Sequence, residues 1–133
     1  MNSVLAEVAN SIQERLGADR EDFRDQAIFI VPPERILDSV RVLRDEFGFN
    51  MLSDITAVDY FPQEEPRFHV IYQIRDMTRN LLVTLRVPLN GSDPRLATME
   101  KLFPGANWHE RELWDMFGIT FDGNSDLRRI IMP

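Results

Sequence analysis

Two runs in the middle of the chain limit its fold more than anything else in it. Phe68, Val70, Tyr72 and Ile74 alternate with polar or mixed neighbours, and after the turn residues Asp76 to Asn80 so do Leu81, Val83, Leu85 and Val87. A period of two puts each set on one side of an extended strand, so the two runs form a hairpin with one buried face. Such a face has to be covered. Flanking segments with helical periodicity supply the cover, and the sequence is therefore read as an α+β single domain, a mixed or antiparallel β-sheet packed with helices in the order α-β-α-β-β-β-α-α.

Those flanking segments can be laid out in turn. Val4, Leu5, Val8, Ile12 and Leu16 recur at helical spacing behind Ser3 and stop at Gly17, which predicts a helix over 3–16. Phe23 to Val31 reads as a strand closed by Pro32-Pro33, one of which can open the next helix in its first turn. Ile36, Leu37, Val40, Leu43 and Phe47 then make an apolar stripe over 33–47, ended by Gly48. A third strand is expected from Met51 to Tyr60. After the hairpin, Asn90 to Pro94 is a loop, and Leu96, Met99, Leu102 and Phe103 predict a short helix that Pro104-Gly105 terminates. The last helix starts at Asn107, read as its N-cap, with Glu110 placed for a capping box and Gly118 for a left-handed end.

Composition removes several kinds of chemistry. With 133 residues the chain fits one domain, and its absent cysteines exclude thiolate zinc sites, cysteine-held iron-sulfur clusters, thiol catalysis and disulfides. A net charge of -7 argues against a nucleic-acid partner and against a polybasic membrane anchor. The longest apolar run, Ala27 to Val31, is far below the roughly 20 residues a bilayer-crossing helix needs, and no basic-then-apolar leader opens the chain. A soluble, unexported chain is expected, one that another subunit must hold if it works at a membrane.

Candidate sites are few. His109, Glu110 and Glu112 are helix neighbours that point apart, so they do not converge on a metal, and His109 reads as a surface residue. His69 sits in a strand and reads as a solvent-face or hydrogen-bonded residue. Asp54, Asp59, Glu64 and Glu65 cluster without the spacing of a calcium loop, so Asp54 and Asp59 are expected to bond backbone or arginine. On the last helix Glu110, Leu113, Trp114 and Phe117 share one side, while Arg111 and Asp115 pair at i, i+4 on its flank. Arg128 and Arg129 lie among Leu127, Ile130 and Ile131, a mixture of guanidinium donors and apolar anchors common at interface centres. Charge and large aromatics packed together in this way read as a docking surface.

The segment from Glu110 to Ile119 (ERELWDMFGI), followed by Phe121-x-Gly123 and Leu127 to Pro133 (LRRIIMP), resembles the hallmark of the C-type subunits of NADH:quinone oxidoreductase, respiratory complex I. Leu52 to Tyr60 and Phe103 to Trp108 are similar to two further family segments in the same order, so the resemblance covers about 35–133. The chain departs from the family where Gly123-Asn124-Ser125 replaces the usual Gly-His-Pro, and it stops at Pro133, where relatives commonly continue. The resemblance implies a peripheral-arm, cofactor-free subunit of a proton-pumping complex on the cytoplasmic face of the plasma membrane, attached indirectly. Flavin, iron-sulfur clusters and quinone would lie on partner subunits, and the partners would be the large quinone-pocket subunit and iron-sulfur subunits. The expected interface, or its immediate support, is Glu110, Arg111, Glu112, Trp114, Asp115, Phe117, Arg128 and Arg129. Other readings are an equivalent subunit of a hydrogenase-type complex, a homo-oligomeric binding module, and a hydrolase using Glu110, Glu112 or Asp115.

Overall fold

In the computed structural model, which describes residues 19–23, 26–63 and 65–124, the expected hairpin is the spine of a five-stranded sheet. Its strands are β4 (Phe68–Asp76) and β5 (Leu81–Leu89). Phe68 lies opposite Leu89, Val70 opposite Val87, Tyr72 opposite Leu85 and Ile74 opposite Val83. All eight of these side chains are buried. The alternation thus sets the register directly, because a slip of one residue would turn the whole set out to solvent.

Around this spine come β1 (Asp19–Phe23), β2 (Gln26–Ile30) and β3 (Met51–Asp59), giving the order β1-β2-β5-β4-β3. Neighbours are antiparallel except β2 and β5, which run parallel. The expected strand from Phe23 to Val31 is formed over Gln26–Ile30 as β2, and a strand not expected from the sequence, β1, precedes it and pairs with it. Asp19 to Phe23 has too few apolar residues to alternate, so its pairing leaves no mark in the hydrophobic pattern. The helix read at 3–16 lies outside the described residues.

A short 3-10 turn (Pro33–Arg35) with proline in its first positions leads into α1 (Ile36–Asp45), together matching the helix expected over 33–47. Ile36, Val40 and Leu43 are fully buried on it, with Leu37 and Phe47 packed at the margin. Gly48 then reverses the chain at a φ of 76°.

The short helix expected through Leu96, Met99, Leu102 and Phe103 is not formed. Arg95–Ala97 is instead a strand, β6, paired in parallel with β7 (Thr120–Asp122) in a second, two-stranded sheet. The helix-like spacing comes from a single turn in which Leu102 and Phe103 both donate their N–H to Met99 carbonyl, at 3.0 and 2.8 Å. Upstream, Thr98 N–H goes to Asp122 carbonyl at 3.0 Å, which extends the pairing of β6 with β7 by one bond. Arg44 on α1 clamps the same connection by donating to Leu102 carbonyl at 2.9 Å. Between β6 and β7 runs α2 (Ala106–Phe117), the helix on which the site is built.

Candidate docking helix

Helix α2 enters through Gly105 with no side-chain cap, and Asn107 lies inside its first turn. The expected capping box is therefore absent. Glu110 has turned the other way, into the domain. At the far end Gly118 is left-handed, with φ 73°, and its N–H donates to Trp114 carbonyl at 3.0 Å, as the sequence predicted. Ala106, Glu110 and Leu113 are buried along the inner side. Trp114 and Phe117 are half-buried against the core, and the Phe117 ring meets Phe68 edge-on at 6.0 Å between centroids.

Glu110 is 0% exposed, and its carboxylate joins three segments. Thr98 hydroxyl donates to Oε1 at 2.5 Å, Met99 N–H to Oε2 at 2.8 Å, and Asn124 Nδ2 to Oε1 at 2.8 Å. The first two partners follow β6 and the third follows β7, so this one side chain fastens both short strands to α2. Burial pushes the carboxyl above the ordinary glutamate value of 4.5, and the three donors only partly oppose it. Beside it, Tyr72 on β4 is fully buried, and its hydroxyl has no hydrogen-bond partner among the described residues. Burial first, and the charge of Glu110 second, hold that phenol protonated well above its usual 10.0.

The outer side of α2 is different. Trp108 is 63% and Met116 71% exposed, with Glu112 between them and Asp115 beside. Arg111 lies 5.8 Å from the Trp108 ring centroid and 4.0 Å from an Asp115 oxygen, the i, i+4 pair read from the sequence. His109 Nδ1 is 3.3 Å from Asp54 on β3, which ties the start of the helix to the edge of the sheet.

The eight expected residues are thus distributed unevenly. Arg111, Glu112 and Asp115 line the outer side, Trp114 and Phe117 are partly used by the domain's own core, and Glu110 is internal. Arg128 and Arg129 lie outside the described residues. Sequence reasoning passed over Trp108 and Met116, although 108, 112 and 116 recur at four-residue spacing opposite the buried 106, 110 and 113. Glu110, Glu112 and Asp115 do not converge on a common cleft, since one is inside and two face solvent.

Asp59 behaves as expected of it. It takes two bonds from Arg67, at 2.9 and 3.1 Å, and one from Phe61 N–H at 3.0 Å. The Arg67 bond, above all, lowers its pKa from 3.8. His69 is half-buried, edge-on to Tyr60 at 4.9 Å, and its Nδ1 has no hydrogen-bond partner among the described residues. Burial, and then Arg86, push its pKa down from 6.5. Among the described residues no three His, Cys, Asp or Glu side chains are grouped to hold a metal ion.

The fold and this helix define an α+β domain of the type seen in the trypsin-resistant fragment (1-134) of Nqo5. That structure superposes with a TM-score of 0.83 at 32% identity, over 92% of this chain and 98% of the other. The chain belongs to the family described as respiratory-chain NADH dehydrogenase, 30 Kd subunit, which it matches over residues 29–133. Among curated relatives, the C-type subunit of the NADH-quinone oxidoreductase of Roseiflexus sp. (strain RS-1) is 44% identical over 84% of this chain and 65% of its own length. The second C-type subunit of Rhizobium etli is 42% identical over 91% and 66%, and the counterpart in Roseiflexus castenholzii 39% identical over 98% and 75%. The chain therefore spans about two thirds to three quarters of the length of these relatives. A chain in the structure of an archaeal respiratory complex, the membrane-bound sulfane sulfur reductase, has the same fold. Its TM-score is 0.79 at 24% identity, over 94% of this chain and 74% of that one.

Proposed function

We propose that this chain is a cofactor-free structural subunit in the peripheral arm of a proton-pumping NADH:quinone oxidoreductase. It positions the large quinone-pocket subunit and the iron-sulfur subunits so that electrons pass from NADH to quinone on partner chains. Family membership supports the complex, and the absence of cysteine from all 133 residues supports leaving the clusters to its neighbours. Among the described residues no helix is long and apolar enough to cross a membrane. Attachment at the cytoplasmic face would run through other subunits.

The observation that carries this reading is the outer side of α2. Trp108 and Met116 leave large apolar surface in water one turn either side of Glu112, on a helix whose inner side is already committed to the core. Burying each against a partner is worth roughly 1.5–3 kcal/mol, and tryptophan is enriched among the residues that dominate interface energies. A rigid wedge contributes geometry, on which tunnelling distance and quinone placement depend.

The test combines Trp108→Ala with Met116→Glu in the assembled complex. Neither residue is buried in the domain, so the purified variant is expected to keep its circular dichroism and melting temperature while failing to co-purify with the large quinone-pocket subunit. Normal assembly would refute the docking role of α2. Arg129→Glu tests the arginine tail separately. The likeness to a chain of the sulfane sulfur reductase complex favours a second reading, the equivalent subunit of a related membrane-bound respiratory complex, and identification of the co-purifying subunits separates the two.

A further inference from the structure

Glu110 stands at a point where two hydrogen-bonding options exist for one oxygen. Oε2 accepts a backbone N–H, from Met99, which can only donate. Oε1 faces the Thr98 hydroxyl and the Asn124 amide. A hydroxyl can reverse from donor to acceptor, whereas an amide nitrogen cannot accept. Thr98 Oγ1 also takes Glu100 N–H at 3.1 Å, so this oxygen already serves as an acceptor.

We propose that Glu110 and Asn124 form a proton-responsive latch on the chain where it leaves β7. With the carboxylate ionised, Oε1 holds the Asn124 amide against α2. A proton taken from solvent onto Oε1 donates to Thr98 oxygen, the Thr98 hydrogen turns away, and Asn124 loses its charged acceptor. The Met99 bond on Oε2 and the Thr98 N–H bond to Asp122 carbonyl survive, so β6 and β7 stay fastened while the Asn124 side chain, whose amide also lies 3.5 Å from Asn107 carbonyl, loosens its hold on α2. The groups facing Glu110 from the elements packed on it are Tyr72 on β4 and Glu100 beyond β6. Tyr72 stays neutral, and the negative charge of Glu100 favours the protonated form. Asp122 on β7 is turned outward to Arg95 at 2.6 Å. Burial raises the Glu110 pKa, which brings the switch closer to neutral pH. This device goes beyond the assembly role and stands or falls without it.

The experiment is a side-chain NMR titration of the full 133-residue chain between about pH 4 and 8, following the Glu110 carboxyl carbon and the Asn124 side-chain amide. Both are expected to move with one midpoint, above the ordinary glutamate value. Asn124→Ala removes a donor to the carboxylate and is expected to raise the Glu110 midpoint further. In Glu110→Gln the Asn124 signals are expected to sit away from their neutral-pH wild-type position at every pH. An Asn124 amide that ignores the Glu110 titration overturns the latch, as does a Glu110 midpoint unmoved by Asn124→Ala. Should Glu110→Gln fail to fold, the paired wild-type midpoints decide alone.

Discussion

Replacing Tyr72 with phenylalanine removes one oxygen from the middle of the sheet, and the change should stabilise the protein. The hydroxyl is sealed in the core without a hydrogen-bond partner among the described residues, and burial keeps its proton in place. Leaving such a group unpaired costs about 1–3 kcal/mol, while the ring and its packing between Val70 and Ile74 are kept by phenylalanine. A gain of about 1–2 kcal/mol is expected. Unfolding entropy near 2.1 cal/mol/K per residue makes this a rise of about 4–7 °C in Tm for a chain of this length. Urea unfolding should show the midpoint moving up with the slope unchanged. A fall of several degrees would mean that the hydroxyl holds a bond worth more than its desolvation, and the orphan assignment would be wrong.

Two further perturbations probe the local arguments. Gly118→Ala places a Cβ on a backbone at φ 73°, where space is open but the conformation is strained. The expected loss is about 1 kcal/mol, with Gly118→Asn milder, both read as melting temperature. Asp59 has its pKa lowered by Arg67 and by Phe61 N–H, so its ionised form favours the folded state. That contribution is complete above the unfolded aspartate value and is lost as pH falls through the folded one. Asp59→Asn should therefore lower Tm at neutral pH, with the gap to wild type closing in acid below about pH 4.

Local pattern carried the centre of the fold well. The pairs from Phe68–Leu89 to Ile74–Val83 are legible because one buried face imposes strict alternation. Helix α1 is legible because its stripe is bounded by proline and glycine. The pairing of β6 with β7 is not, since Leu96 and Phe121 meet across the whole of α2, and three-residue strands carry no period. Glu110 shows the same limit at a single residue. Its position after Asn107 fits a cap, yet the donors at Thr98, Met99 and Asn124 win because they come from strands that only the tertiary fold brings together. The family segment is visible as a string, but which of its residues face inward is not. Trp114 and Phe117 serve the core in part, leaving the exposed apolar surface to Trp108 and Met116.

The long-range pairing of Leu96 with Phe121 also sets a schedule for synthesis. A chain emerging from the ribosome can close its meander from Met51 to Leu89 among near neighbours, at modest entropic cost. Residues 95–97 must wait for the polypeptide to extend past 122 before they have a strand to lie beside. Helix α2, which lies between the two strands, thus gains its seat only after residue 122 has been made, and a chain cut short of that point has no strand for residues 95–97 to pair with.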